Sequence, residues 1–400
     1  MKKKSQIGNR KSKILIVGAG PAGTSLAIRL AQKDFEVLLI ERETFPRHKL
    51  CGEFISPECL AHFAELGVLE NMLSAGGERI TETRFYEPGG RSLTVPSEWF
   101  RGEGYALSLT RAEMDLRLMN RARTVGVNVL EDTSVNGILY GENGIQGVKA
   151  CTGRDKIVEI PADLFVDATG RSRIISKLYE QHAKNEKSKI KGRKPLYVGF
   201  KTHLKGANIE KGRCEIYSFR GGYGGLSPVE NGMTNLCFFI SAPVAREFNG
   251  NAEKIIEDVI FKNKRAQETL TYAAPVRDWL AVSISSFGMG NLDPALNLFS
   301  VGDSAAFIDP FTGSGMLMAL ESADILAQSI AAYHQMPKKL SDAYRLKYKQ
   351  KFNRRLRVCS LLRHAAFVPN LAGFIIFTLG LSKSSGEILT RLTRPRLSGN

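Results

Sequence analysis

Tryptophan is scarce in this chain. Trp99 and Trp279 are the only two in 400 residues, which rules out any motif built on closely spaced indoles. Six cysteines, at 51, 59, 151, 214, 237 and 359, show neither paired nor metal-type spacing. Their scatter speaks against a disulfide framework and a zinc site, so no metal is expected and a reducing compartment is favoured. An uncharged run over 365–381 counts 17 residues and contains Pro369, Asn370, Gly373 and Gly380, whereas a membrane span needs about 20 apolar residues. The start of the chain is basic without the apolar stretch of a secretory signal. Residues 1–12 are therefore expected to be a mobile basic tail, and the location cytoplasmic. No internal repeat or low-complexity tract is present.

What remains is an ordinary globular composition, 43% hydrophobic and 24% charged, spread over more residues than one core usually organises. The formal charge of +16 is large. Most of it reads as solubility, but four clusters are local: the tail, Lys184 to Lys194, Arg345 to Arg357 and Arg391 to Arg396. Such patches suit an anionic membrane surface or an acidic carrier. No nucleic-acid module accompanies them, so no nucleic-acid partner is expected. The run 365–381 fits an interfacial segment with Lys383 and its flanking arginines at lipid headgroups, or a helical cap over a substrate entrance. Peripheral contact at the inner face of a membrane is thus one expectation. The oligomeric state is left open.

The strongest positive signal lies near the start. Lys13-Ile-Leu-Ile-Val17 reads as a strand, Gly18-Ala-Gly20-Pro21-Ala22-Gly23 as a turn entering a helix to Lys33, and Glu36 to Ile40 as the next strand, closed by Glu41. Gly18 permits the tight turn and Gly20 lets the backbone approach a pyrophosphate. Gly23 lets the helix pack on the strand, and the helix N-terminus offers unpaired N–H groups to phosphate. Glu41 stands where a carboxylate receives ribose hydroxyls. Strand, turn, helix and acid in register point to a dinucleotide.

Further along, Ser56 to Leu69 reads as a helix, and two short strands flank Glu87-Pro-Gly-Gly90. A helix from Arg111 to Thr124 has Thr110 as its N-cap, Val127 to Leu130 is a strand, and 137–160 is a meander turning at Gly141–Gly144 and Gly153–Asp155. Leu164 to Asp167 is a buried strand. Lys184 to Lys194 marks a lobe boundary. Strands follow at 197–204, 214–219, 224–228 and 235–240, helix over 251–272, a strand at Leu298 to Val301, helix from Gly315 to about Ala332, and a basic helix from Leu340 to Arg357 capped by Ser341. The expected division is discontinuous: 13–80, 105–182 and 275–335 form the nucleotide lobe, 81–104 and 195–274 a β-rich substrate lobe, and 336–400 a helical C-terminal region.

Two more motifs join the glycine turn. One is Asp167-Ala-Thr-Gly170-Arg171-Ser172. The other is Gly302-Asp303-Ser-Ala-Ala-Phe-Ile-Asp309-Pro310-Phe-Thr-Gly313-Ser314-Gly315-Met316. An aspartate at a strand end can hydrogen-bond a polyol such as ribityl, and a loop entering a helix offers a positive dipole end to a reduced flavin's negative charge.

With these three motifs in this order over residues 14–330, the chain resembles the FAD-dependent oxidoreductases of the aromatic-hydroxylase fold. Within them it is most similar to geranylgeranyl-reductase-like and FixC-like flavoproteins, and secondly to flavin-dependent halogenases. Cys51-Gly52 resembles the Cys-Gly-Gly element of the reductases, while Phe45-Pro-Arg47 and Gly52-Glu53 resemble halogenase elements. The halogenases' Trp-x-Trp-x-Ile-Pro motif is absent. The reductases' Tyr-x-Trp-x-Phe-Pro element is replaced by Tyr223-Gly-Gly-Leu-Ser-Pro228, which widens the expected pocket.

The resemblance implies an α/β fold with a Rossmann-type FAD-binding lobe, an inserted β-sheet substrate lobe and a helical C-terminal cap. It implies an FAD shell of Gly18, Gly20, Pro21, Ala22, Gly23, Glu41, Arg42, Arg47, Arg111, Asp167, Gly302, Asp303, Pro310, Gly313, Ser314, Gly315 and Met316. NAD(P)H is the expected electron donor, although no second glycine fingerprint is visible. The expected substrate is a hydrophobic lipid, isoprenoid or polyketide-like molecule, undergoing double-bond reduction or hydroxylation. Halogenation and membrane-docked electron carriage are the alternatives. Glu53 is the candidate general acid, because apolar walls favour a neutral carboxyl, with ion pairing to Arg47 or Lys49 as its other reading. Cys51 is a candidate redox or gating group. Tyr217 and Tyr223 are candidate pocket residues, with sheet packing as the other reading. His48 and His203 read as surface or satisfied histidines, lacking a companion acid at helical or strand spacing.

Overall fold

The computed structural model describes residues 12–141, 144–153, 156–183, 194–366 and 383–394. The basic tail, the 184–194 boundary up to its last residue, the middle of both meander turns, nearly all of the run 365–381 and the last basic residues lie outside them.

A five-stranded parallel sheet forms the first layer, in the order β20 (Leu298–Ser300), β12 (Leu164–Asp167), β1 (Lys13–Val17), β2 (Glu36–Ile40), β8 (Asn128–Leu130). Its strands are short apolar runs because both faces are covered. Ile14, Ile16, Leu39, Val166 and Phe299 point into a core shared with α1 (Pro21–Ala31), α2 (Pro57–Leu66), α4 (Arg111–Thr124) and α9 (Gly315–Tyr333). The short α3 (Leu69–Leu73) follows α2. Alternate residues Leu15, Val17, Phe165 and Leu298 point the other way, onto α5 (Ile174–Ala183) and the antiparallel meander β9 (Thr133–Gly141), β10 (Gly144–Thr152), β11 (Lys156–Pro161).

The second lobe is an eight-stranded sheet. Its order is β17 (Ala274–Pro275), β13 (Tyr197–Lys205), β16 (Thr234–Ser241), β15 (Gly222–Pro228), β14 (Arg213–Phe219), β5 (Glu82–Tyr86), β6 (Ser92–Pro96), with β18 (Leu280–Ile284) also on β13. One face is a hydrophobic core of Phe200, Tyr217, Phe219, Leu226, Leu236, Phe238 and Ile240 under α6 (Ala242–Glu247), α7 (Ala252–Asp258) and α8 (Lys264–Leu270). The other face meets the nucleotide lobe. Small sheets of β3 (Phe54–Ile55), β7 (Ala106–Ser108) and β4 (Glu78–Ile80), and of β19 (Gly288–Met289) with β21 (Ala306–Phe307), bridge the two.

Three features differ from the sequence expectation. Because β18 pairs with β13, the sheet lobe runs past residue 274 to 284. The helix expected over 251–272 is broken, because Asn263 caps α8 by accepting from the Ala266 N–H while its amide holds the carbonyls of Tyr86 and Ser218. The basic helix α10 (Pro337–Ala366) starts earlier than Leu340, and Ser341 donates to Asp293 instead of capping it. Leu340, Tyr344, Tyr348 and Phe352 sink α10 into the first core. A final helix, Lys383–Leu392, lies against Trp99, whose ring would be 3.0 Å from a β-carbon on Gly386.

Candidate functional site

The three glycine motifs meet at the carboxyl ends of β1, β12 and β20. A β-carbon on Gly18, whose φ is +104°, would lie 2.4 Å from the Ala168 carbonyl oxygen. One on Gly23 would lie 1.9 Å from the Gly18 carbonyl oxygen, and one on Gly302 would lie 2.8 Å from Ala22 Cβ. Steric exclusion thus requires glycine at all three and packs the turns together. Gly20 is different: the nearest atom its β-carbon would meet is an Arg111 nitrogen at 4.0 Å. The space above Gly20 is a cradle with a guanidinium over it, at an α1 N-terminus that carries no side-chain cap. Pro21 occupies the first helical turn, leaving the N–H groups of Ala22 and Gly23 for an anion.

Glu41 is buried and reaches back to this turn, accepting from the Ala19 N–H at 2.9 Å. Burial pushes its carboxyl up, but Arg47 and backbone N–H groups outweigh that and hold it below its usual range. Arg47 bridges Glu41 (3.3 Å) and Asp115 (3.2 Å), and its buried Nε has no hydrogen-bond partner among the described residues. Arg111 forms a two-pronged pair with Asp115 at 2.9 and 2.7 Å. Lys49 stands near Arg47, Glu41 and Arg111, and desolvation followed by these cations brings its amine down to about 8. Asp303 is pushed up by desolvation and pulled back by Arg171, Arg111 and Lys49. An open cradle ringed by cations, with an acid at each end, fits the pyrophosphate, ribose and ribityl of FAD. Gly20, Ala22, Gly23, Arg47, Lys49 and Arg111 would hold the pyrophosphate, Glu41 the ribose and Asp303 the polyol.

Two members of the expected shell are engaged by protein partners. Asp167 is fully buried, and its oxygens accept from the Thr169 N–H and hydroxyl, Ser304 Oγ, and the Ser176 N–H and hydroxyl. It ties β12 to α5 and to the Gly302 turn, with no oxygen left for a cofactor. Arg42 is exposed and pairs with Glu43 at 3.1 Å.

The loop from Asp309 to Met316 closes the far end. Asp309 accepts from the Phe311 N–H at 2.9 Å and from the Tyr223 hydroxyl at 2.6 Å, shaping the turn at Pro310. A β-carbon on Gly313, whose φ is +59°, would lie 3.1 Å from the Phe54 ring. Ser314 is buried and receives the Arg394 guanidinium at 3.4 Å. A β-carbon on Gly315 would meet nothing within 4 Å, so the N-terminus of α9 opens as the α1 N-terminus does. Met316 follows in its first turn.

Glu53 sits at the lobe junction in an unusual state. It is fully buried at φ +56°, a backbone strain that persists only where surroundings over-determine it. Its carboxylate accepts from the Arg111 N–H at 2.8 Å, from Lys201 Nζ, and from His203 Nε2 at 2.7 Å. Burial alone raises its pKa, yet the His203 hydrogen bond and the Lys201 charge carry the net shift downward. Glu53 is therefore ionised at neutral pH, and the expected general acid is corrected to a fixed acceptor. Its partners are neither Arg47 nor Lys49. His203, read in sequence as having no acid, donates to Glu53 because an ionised carboxylate only accepts.

Strand alternation explains what sequence reading missed. On β13, Val198, Phe200 and Leu204 enter the hydrophobic core, so Gly199, Lys201 and His203 face the nucleotide lobe. In register across the sheet, His203 opposes Asn235 and Asn235 opposes Ser227. Asn235 donates to the Cys51 carbonyl at 3.2 Å, Ser227 meets Ser108 at 2.8 Å, and Lys201 donates to the Lys49 carbonyl at 3.0 Å. Glu230 accepts from both the N–H and the hydroxyl of Thr110. A polar row on a central strand was the signal available. Cys51 stays half-buried in the pinned loop, its sulfur 3.4 Å from the Glu53 N–H.

The same alternation separates the two candidate tyrosines. Tyr217 lies in the helix-covered core and donates to Glu215 at 2.7 Å, out of reach of the junction. Tyr223 lies on the junction face, stacked near Phe239 and edge-on to Phe311 at 5.1 Å. Around it stand half-buried Phe85, Tyr197, Phe287, Phe307 and Phe311, with Leu50 and Ile216. Among the described residues no group of three or more His, Cys, Asp or Glu could hold a metal ion, and no helix is long and apolar enough to cross a membrane.

A family model described as FAD binding domain matches residues 11–355. A tryptophan 2-halogenase of Chondromyces crocatus is 26% identical over 330 residues, which cover 80% of this chain and 61% of the halogenase. The chain thus spans about three-fifths of that relative. A digeranylgeranylglycerophospholipid reductase of Methanosarcina mazei is 26% identical over 365 residues, 85% of this chain and 81% of the reductase. Among solved structures, the flavin-dependent brominase Bmp2 superposes with a TM-score of 0.78 at 17% identity, covering 96% of this chain and 94% of its own. That likeness is one of fold. Both groups that the motifs resemble, reductases and halogenases, are among the relatives.

Proposed function

This chain belongs to the FAD binding domain family, and from that premise we propose that it is an oxidoreductase acting on an apolar small molecule held where the two lobes meet. The reaction we favour is reduction of a carbon–carbon double bond, with NAD(P)H as the electron source. The observation that carries the reading is the aromatic wall. Phe287 and Phe307 stack at 4.9 Å, Phe311 lies 5.6 Å from Phe85, and these half-buried rings flank the loop that leads to Gly315. A wall of this kind recognises an apolar ligand by area and ring contact.

FAD, when bound, supplies hydride and electron transfer. The chain's own residues do the rest. Arg47, Lys49 and Arg111 neutralise the pyrophosphate. The open N-terminus of α9 stabilises negative charge at the far end of the cradle. Glu53 fixes the Arg111 backbone and, through Lys201 and His203, holds the sheet against the cofactor loop. Glu53 gives up no proton in this scheme, because its ionised form is the one its partners hold; hydride adds to one carbon of the double bond and the balancing proton reaches the other carbon from solvent water.

Hydroxylation uses the same wall and is the competing chemistry. Halogenation lacks its paired tryptophans, since Trp99 packs against the last helix and Trp279 against Phe238. The test is to reduce the FAD-loaded protein anaerobically with NADPH or NADH and present a polyunsaturated isoprenoid alcohol. Gain of two hydrogens supports the proposal. Gain of an oxygen atom when the reaction is repeated in air replaces it with hydroxylation, and gain of a halogen in air with chloride or bromide added replaces it with halogenation. Electron delivery to a membrane acceptor without turnover makes the chain a carrier.

A further inference from the structure

Helix α10 is buried on one side and basic on the other. Its 30 residues contain ten lysines and arginines against one acid, Asp342. Leu340, Tyr344, Tyr348, Phe352 and Arg355 point inward. Opposite them, Lys339, Leu346, Gln350, Arg354, Arg357 and Leu361 recur at helical spacing on one exposed face, with Lys347 and Lys349 at its margins. Arg345 pairs with Asp293 and Lys351 with Glu321, whereas Lys338, Lys339, Lys347, Lys349, Arg354 and Arg357 form no ion pair among the described residues. Leu346 and Leu361 stand 60% and 72% exposed within this basic field. The uncharged run 365–381 continues the chain directly from its end.

We propose that the outward face of α10 docks on an anionic phospholipid bilayer, its cations at the headgroups and its exposed leucines at the acyl boundary. A face of one sign with isolated apolar residues matches a lipid surface better than a protein partner, whose recognition asks for a fully desolvated apolar centre. Each lysine or arginine near an anionic surface strengthens partitioning by roughly fivefold, and the effect weakens with salt. This inference is independent of the reaction proposed above.

The test is co-sedimentation of the full chain with phosphatidylcholine vesicles, with and without phosphatidylserine, at low and physiological salt. Binding is expected only with phosphatidylserine. Charge reversal by Lys347→Glu, Lys349→Glu, Arg354→Glu and Arg357→Glu together is expected to lower partitioning at least 100-fold while thermal unfolding and FAD content stay unchanged. Equal binding to neutral vesicles, full binding by the quadruple variant, or no binding of the parent at physiological salt overturns the proposal. So does preferential capture by an acidic protein or by nucleic acid.

Discussion

The cofactor cradle and the lobe junction are neighbours built on opposite plans. The glycine turn of the cradle is local in sequence: Gly18, Gly20, Gly23 and Glu41 fall within one strand–turn–helix–strand unit, and their task follows from backbone geometry. The junction draws Glu53, Arg111, Lys201, His203, Ser227 and Asn235 from three lobe segments and fixes them by hydrogen bonds across more than a hundred residues. The first tolerates no added atom at Gly18 or Gly23, and the second tolerates no lost charge at Glu53.

Steric changes in the cradle give the largest effect. Gly23→Val has no room beside the Gly18 carbonyl, and FAD titration followed by fluorescence is expected to show affinity reduced by more than about 100-fold, with loss of fold as the extreme. Gly52→Ala, in the junction loop, is the contrast, since a β-carbon there meets nothing within 4 Å. Its affinity is expected to stay within about threefold of the parent. Equal losses from both would erase the distinction between the two regions.

Charge changes break the junction next. Glu53→Gln leaves Lys201 buried beside a neutral partner, and a stability loss of about 3–5 kcal/mol in urea unfolding is expected. The sign with pH follows from the depressed carboxyl. The unfolded state binds the proton more readily, so the stabilisation is complete above the usual carboxylate range and disappears as pH falls through the lower folded value. Glu53→Gln flattens that acid limb. Lys201→Met added to Glu53→Gln recovers part of the loss, because no unpaired ammonium then remains; strict additivity of the two substitutions would falsify the coupled-cluster reading.

These contrasts also mark what the sequence could disclose. Glycine needed at positive φ or at contact distance is a property of a few adjacent residues, so the cradle and most strands of both lobes were legible. Glu53 was legible as a residue of interest but not as an ion, because its partners sit about 150 positions away. Apolar walls alone raise a carboxyl, and the His203 hydrogen bond and the Lys201 charge, both from β13, reverse the sign. Asp167 was misread for a related reason: its motif signals a turn at the cofactor, while Ser176 and Ser304, which with the motif's own Thr169 saturate it, belong to other elements. Tyr217 and Tyr223 differ only by the parity of their strands.

Lys49 sharpens the comparison, because its side chain belongs to the cradle while its carbonyl belongs to the junction. With its amine at about 8 in the free protein, an arriving pyrophosphate favours the charged form. FAD binding should then take up a proton above that pH, and affinity should fall as pH rises, by up to about tenfold per unit. Lys49→Met is expected to bind FAD more weakly below pH about 8 and to lose the slope above it. A parent protein whose FAD affinity is flat from neutral to alkaline pH would place Lys49 outside the cradle.

The smallest effect is expected at Tyr223. Its hydroxyl ties β15 to the loop at Pro310, 2.6 Å from Asp309. Tyr223→Phe keeps the ring contacts with Phe239 and Phe311 and removes the hydrogen bond, a loss of about 1–2 kcal/mol in unfolding. Asp309 still accepts from the Phe311 N–H, so the turn should survive and FAD affinity should change by less than about threefold. If instead FAD binding falls as far as in Gly23→Val, the loop is held by the sheet lobe more than by its own turn chemistry. The cradle would then depend on the junction for its shape, and the division between a locally encoded site and an assembled one would move to include the loop with the junction.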